Sequence, residues 1–208
     1  MRPARSDARP AAAAVRRWHL HLLLFVAALI PLAWTGYELA TQALQNPTQY
    51  LQRATGRWAF RLLLATLAIT PLIKLSGWRG LLPYRRTLGL LTFFYATAHL
   101  LTYLGFDFGF DLDEIVVDAM TRRFAWVGLT AYLLLVPLAL PSTRRAQRAL
   151  GRRWKPLHRV IYVVALPAAL HYVMLTKVHL TQALLYAAAV LGLLGWRVLA
   201  ARQERVAP

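Results

Sequence analysis

The chain has 208 residues, 58% of them hydrophobic, and a formal net charge of +17. Long apolar blocks with arginines gathered between them point to a membrane protein rather than a nucleic-acid binder, whose cations would line one face. The absence of cysteine excludes disulfides, thiolate iron–sulfur clusters, covalently attached c-type haem and a cysteine nucleophile.

Residues 1–17 are rich in Ala, Pro and Arg and read as a disordered basic arm. Arg16 and Arg17 ahead of an apolar run suggest a twin-arginine export signal, but the run continues through Trp34 without a small-residue cleavage site. It is therefore read as an uncleaved first span. Six apolar blocks follow, near 18–38, 57–75, 87–105, 123–141, 156–175 and 180–199, each close to the roughly 20 residues a helix needs to cross a bilayer. Their hydrophobicity is continuous rather than alternating, which favours helices over a barrel. The expected fold is an all-α membrane protein: a six-helix transmembrane bundle over 18–199, with a tail at 200–208. Pro31, Pro71, Pro137 and Pro167 fall inside the blocks, where a bundle tolerates them as kinks.

Lys and Arg set the orientation. Five lie in residues 1–17, four in 74–86, seven in 144–159 and three in 197–205, 19 on one side against six on the other. Both termini are therefore expected in the cytoplasm. The acids show the opposite bias: Asp107, Asp111, Asp113, Glu114 and Asp118 crowd the connection between the third and fourth blocks. They form either a solvated loop or a docking patch for an extracytoplasmic partner. Trp58, Trp78, Tyr84, Tyr103, Trp126 and Trp154 lie near span ends, as interfacial anchors do.

The histidines carry the functional signal, because an imidazole in hydrocarbon is costly unless its nitrogen is used. His99 and His171 lie on the third and fifth spans, which run in the same direction. At about 1.5 Å per residue they stand roughly 18 and 22 Å from the cytoplasmic edge, within one helical turn of each other. Two imidazoles at one depth on neighbouring helices can take the two axial positions of one haem iron. His158, two residues into the fifth span, belongs to the cytoplasmic side. Thirteen residues separate it from His171, roughly 20 Å of rise and about 140° of rotation in an ideal helix. His19 or His21 is a candidate partner for it at an inner site, and His179 reads as a solvated loop residue. Thr92, Tyr95, His99, Thr102 and Tyr103 make a polar stripe on the third span, while Ala165, Ala168 and Ala169 leave room beside His171. Arg61 either snorkels to the interface or pairs with a haem propionate. Arg85, Arg86, Arg152 and Arg153 either hold a flavin phosphate or propionates, or simply mark the cytoplasmic side. A lone membrane histidine can instead be a proton relay or an interhelical hydrogen-bonding residue.

Four stretches, TGRWAFRLLLATLAITPL (55–72), RRTLGLLTFFYATAHLLTYL (85–104), TRRFAWVGL (121–129) and LGRRWKPLHRVIYVVALPAALHY (150–172), resemble in order and spacing the MsrQ family. These are haem-binding membrane subunits of bacterial protein-methionine-sulfoxide reductase systems, within the wider ferric-reductase-like transmembrane group. The resemblance implies a b-type cytochrome of the bacterial inner membrane that also uses FMN. Its electrons would come from the quinone pool or a cytoplasmic flavin reductase. They would go to a periplasmic molybdenum-cofactor subunit that reduces methionine sulfoxide in proteins. The family's key histidines fall on His99, His158 and His171. Members of the wider group often carry two histidines on each of two helices, whereas the third span here has one.

On this reading electrons enter near His158 and leave through the His99/His171 haem toward a partner at the outer loops. The rival readings are a stand-alone ferric or quinone reductase and a histidine-dependent proton-coupled transporter. No G-x-G-x-x-G dinucleotide motif is present, so a nicotinamide domain is not built in.

Overall fold

The structure, a computed structural model, describes residues 8–175 and 180–206. Among the described residues all regular secondary structure is helical, with no strand. The chain divides into two units, residues 1–43 and 44–208. The first holds α1 (Ala8–Thr41), which begins inside the alanine-rich arm, where Ala11–Ala14 repeat the strongest helix former. Pro31 lies within it, and the Thr35 hydroxyl donates to the Pro31 carbonyl at 2.7 Å.

In the second unit α2 (Pro47–Ser76) starts ten residues ahead of its expected apolar block, because its start is set by capping rather than hydropathy. The Asn46 side chain accepts the Gln49 N–H at 3.0 Å, and Pro47 takes the first helical position, where no amide is needed. Gly77 closes the helix in the left-handed region (φ 71°), its N–H donating to the Ile73 carbonyl. Next come α3 (Tyr84–Thr102), a π-helical turn at Tyr103–Asp107, α4 (Leu112–Thr121) and α5 (Arg123–Ala139). Three short basic pieces lead into the last part of the chain: α6 (Arg144–Leu150), a 3₁₀ turn at Gly151–Arg153 and α7 (Trp154–Arg159). There follow α8 (Ile161–Leu175) and α9 (Leu180–Val206).

The long helices close a ring: α2 packs on α3, α3 on α5, α5 on α8, α8 on α9, and α9 back on α2. Phe60, Leu63, Leu67, Leu135, Leu138, Ile161, Val164, Ala165, Ala169 and Val190 fill its centre. Large apolar residues such as Leu133, Val163, Leu170 and Leu185 stay exposed on the outside, as expected of a surface that meets lipid. The threonines of the interior satisfy themselves. Thr55, Thr66 and Thr92 each donate to the carbonyl four residues back at 2.8 Å, so these three hydroxyls do not enter hydrocarbon unpaired.

Among the described residues five helical stretches are long and apolar enough to cross a membrane: Trp18–Thr41, Pro47–Ser76, Arg79–Asp107, Arg145–Leu175 and Leu180–Gln203. The expected fourth span differs. Its helix α5 has 17 residues and meets α4 at a bend of 110°, so the two pass as one span only as a broken pair. The acidic connection expected as a loop is thus largely the helix α4. Asp111 caps it, accepting the N–H groups of Asp113 and Glu114 at 3.0 and 3.2 Å, and these two acids fill the positive first turn. Gly109 and Phe110, both at positive φ (54° and 64°), turn the chain into it.

Two further acids tie this segment to the bundle. Asp107 accepts from the Gln52 amide, and Asp118 takes both the Tyr103 hydroxyl at 2.7 Å and Arg122 at 2.8 Å. Removing Asp118 by substitution with Ala is expected to loosen α4 by about 1–2 kcal/mol, since hydrogen bonds to a charged group are worth more than neutral ones but Arg122 is half exposed. The readout is amide hydrogen exchange over 112–121. Wild-type protection in Asp118→Ala would show that α4 is held by its apolar face instead.

Candidate functional site

His99 and His171 come from α3 and α8, and the bundle brings their rings together with centroids 6.1 Å apart, crossed at 74°. Each ring is tied from behind to a different helix. The His99 Nδ1 lies 3.0 Å from the Gln52 carbonyl on α2, and the His171 Nδ1 lies 2.8 Å from the Phe124 carbonyl on α5. A carbonyl can only accept, so both Nδ1 atoms carry the proton and both Nε2 lone pairs are left for a metal.

The same device is used twice. Four residues after Gln52 stands Gly56, and four residues after Phe124 stands Gly128. Within a helix the carbonyl of residue i faces residue i+4, so a side chain there would cover its second lone pair. A Cβ on Gly56 would lie 3.0 Å from His99 Cε1 and 3.1 Å from Nδ1. One on Gly128 would lie 2.6 and 2.7 Å from the same atoms of His171. The missing methyl groups let each imidazole reach the helix backbone. Sequence reasoning passed over both glycines, although a signal was there: glycine in an apolar helical block costs about 1 kcal/mol against alanine and marks a close approach.

A histidine–metal bond is about 2.0 Å, so two rings with centroids 6.1 Å apart stand at a separation that one metal ion between them would suit. Among the described residues no cluster of three or more His, Cys, Asp or Glu could hold a bare metal ion. Two imidazoles suffice only when a macrocycle supplies the other ligands.

The surroundings are buried and polar on one side. Thr92, Tyr95 and Thr102 of the expected stripe are all buried, and the Thr102 hydroxyl donates to the His99 carbonyl at 2.7 Å. Thr55, also buried, lies 3.5 Å from the His99 Nδ1. Ala165 and Ala169 are part of the packed core and Ala168 rests against it. On α2 the Arg61 Nε donates to the Tyr186 hydroxyl at 3.1 Å, and its guanidinium lies 4.9 Å from the centre of the Trp58 ring. Phe60, Tyr172 and Tyr186 pack as one aromatic group beside it.

His158 is not part of this pair. It sits on α7 at the arginine-rich end, its ring stacked on Trp154 with centroids 4.1 Å apart and its Nδ1 3.1 Å from the Trp154 carbonyl. The Leu138 carbonyl is also within its hydrogen-bonding reach. Of the remaining candidates, His19 and His21 belong to α1 in the other unit, and His179 lies outside the described residues.

The family model described as "Ferric reductase like transmembrane component" matches residues 55–169, a stretch that includes both Gly56 and His99. A protein of Azospira oryzae is 46% identical over 178 residues, covering 84% of this chain and 76% of the relative. One of Brucella ovis is 42% identical over 183 residues, covering 88% and 82%. Both are named protein-methionine-sulfoxide reductase heme-binding subunit MsrQ. No solved structure matches the chain. The chain is therefore a multi-pass membrane protein of the ferric-reductase-like transmembrane family and belongs, within it, to the MsrQ haem-binding subunits.

Proposed function

We propose that this protein is a b-type cytochrome subunit of the bacterial inner membrane. It carries electrons from the quinone pool or a cytoplasmic flavin reductase to a periplasmic molybdenum-cofactor subunit that reduces methionine sulfoxide in proteins. The observation that carries this reading is the His99/His171 pair, each Nδ1 committed to a backbone carbonyl. When bound, haem supplies the one-electron couple, and the chain supplies position, electrostatics and insulation. The names of the relatives support both the haem and the methionine-sulfoxide partner.

In this reading the bent pair α4–α5 counts as a sixth span and both termini are cytoplasmic, following the bias of arginines to that side. His99 and His171 would hold the haem iron, and their carbonyl bonds fix the tautomer and hold the rings against rotation. Arg61, whose Trp58 and Tyr186 contacts orient the guanidinium, pairs with a haem carboxylate. His158 serves electron entry or an inner cofactor at the arginine-rich end, where FMN is the second group expected. Asp113 and Glu114 on α4 face the extracytoplasmic partner, since Asp107, Asp111 and Asp118 already have partners within the chain.

The test is a reduced-minus-oxidised visible spectrum of the detergent-purified protein with a haem-to-protein ratio. A b-type spectrum is expected. A colourless, folded protein from haem-replete cells would rule the reading out and favour a histidine-dependent transporter.

A further inference from the structure

Both imidazoles lean on backbone carbonyls, so whatever moves those carbonyls turns the rings. Two acids of the segment between α3 and α5, Asp107 and Asp118, bind the residues that carry or adjoin these supports. The Asp107 carboxylate accepts the side-chain amide of Gln52, and the backbone carbonyl of the same Gln52 accepts the His99 Nδ1–H at 3.0 Å. Gln52 lies within about two turns of the start of α2, where a helix frays unless something holds it.

Asp118 reaches toward both histidines. One oxygen accepts the Tyr103 hydroxyl at 2.7 Å, and the Tyr103 N–H donates to the His99 carbonyl. The other takes Arg122 at 2.8 Å. Arg122 is the extended residue where the chain turns by 110° from α4 into α5, and its N–H donates to the Asp118 carbonyl at 3.0 Å. Two residues on stands Phe124, whose carbonyl holds the His171 Nδ1 at 2.8 Å and whose ring centre lies 6.3 Å from that of the imidazole. The angle of the chain at Arg122 therefore sets where the Phe124 carbonyl stands. Tyr103 and Asp107 open and close a π-helical turn, a geometry that recurs at functional sites. Asp111, by contrast, uses its carboxylate to cap α4.

We propose that Asp107 and Asp118 are positioning residues for the His99/His171 pair, holding Gln52, Tyr103 and Arg122 so that the two rings keep their crossed orientation. The proposal rests on the reading of the pair as haem ligands. A ligand imidazole is oriented by the partner bonded behind it. Here that partner is a carbonyl, and the acids hold the residues that place it. Asp118 has the larger effect. Its side chain is only 10% exposed, so its two bonds are shielded from water, whereas Asp107 is exposed and its bond competes with solvent.

The test uses the full chain purified in detergent with haem. Wild type is compared with Asp107→Ala, Asp107→Asn, Asp118→Ala, Asp118→Asn, Gln52→Ala and Asp111→Ala. The ferric EPR spectrum reads the angle between two axial imidazoles, being most anisotropic when the rings are crossed. Transfer of haem to apomyoglobin reads how firmly it is held. Asp118→Ala should make the signal less anisotropic and speed transfer about 10-fold, the low end for loss of an orienting partner because further bonds intervene. Asp107→Ala should act in the same direction and less. Gln52→Ala keeps the carbonyl and loses only the amide, so it should match Asp107→Ala, and the double variant should be no worse than either. The Asn variants keep an acceptor and should recover most of the wild-type spectrum. Asp111→Ala removes the α4 cap alone: hydrogen exchange over 112–121 should quicken while the EPR spectrum stays.

An unchanged spectrum and transfer rate in both Asp107→Ala and Asp118→Ala overturns the proposal. So does an Asp111→Ala spectrum shifted as far as that of Asp118→Ala, which would reduce the effect to the stability of α4. If Asp118→Ala does not survive detergent, Asp107→Ala and Gln52→Ala decide by the same readouts. Wild-type protein without haem would defeat the electron-carrier reading instead. The Nδ1–H proton resonances of His99 and His171, read by NMR on protein with isotope-labelled histidine, then decide this proposal. They should move in Asp118→Ala and stay in Asp111→Ala, and resonances unmoved in both would overturn it.

Discussion

Gly128→Ala is expected to empty the histidine pair of haem in a protein that still inserts into the membrane. The added methyl would sit 2.6 Å from His171 Cε1, a distance no relaxed contact shows, and the Phe124 carbonyl holds the ring in place at 2.8 Å. Either α5 and α8 separate, an overpacking strain of about 1–3 kcal/mol, or the imidazole swings off the carbonyl. The second course frees the tautomer and the ring angle together, and loss of such an orienting bond typically costs about 10- to 100-fold in metal affinity. Gly56→Ala should be milder, because its methyl would meet His99 at 3.0 Å and a small tilt relieves it. Gly192→Ala on α9 is the control, since nothing lies within 4 Å of the added atom. It should keep full haem and gain up to about 1 kcal/mol of helix stability. The haem-to-protein ratio ranks the three. A Gly128→Ala protein with wild-type haem would show that His171 is not held by the α5 backbone in the loaded state.

His99→Ala and His171→Ala are each expected to abolish the haem signal of the pair, and the double variant should be no worse than either. The two imidazoles act as one unit, so their losses do not add. Helical content should persist, because the core lies mainly among Phe60, Leu63, Leu67, Val164 and Ala165 rather than at the histidines. His158→Ala should leave the spectrum of the pair in place and slow reduction from the arginine-rich side. Unchanged haem content in both single variants would sink the ligand assignment. Loss of the same spectral component in His158→Ala would mean that His158 and the pair share one site.

How much of this was legible in the chain differs from residue to residue. The long apolar blocks and the arginine-rich connections report directly on the bilayer, because hydrocarbon excludes unpaired backbone and charge whatever the tertiary packing. The depth of His99 and His171 was also legible: a helix rises by a constant amount per residue, so counting from the span edge placed them within one turn. The start of α2 at Asn46-Pro47 and the cap of α4 at Asp111 were written in capping chemistry, which a search for hydrophobic blocks passes over. Local sequence therefore determined the helices and the matching positions of the two histidines along theirs.

The rest depended on which faces meet, and that is set by packing among segments far apart in sequence. The Gln52 carbonyl and His99 are 47 residues apart, as are the Phe124 carbonyl and His171. Arg61 finds Tyr186 across 125 residues, and Arg197 finds the Leu67 carbonyl across 130. Nothing near these residues announces the partner, because a helix presents the same side chains whichever neighbour it meets. Only the closed ring of α2, α3, α5, α8 and α9 decided that Gly56 and Gly128 would lie behind the histidines. The same closure set both imidazoles against backbone carbonyls and left the Arg197 Nε without an acceptor among the described residues.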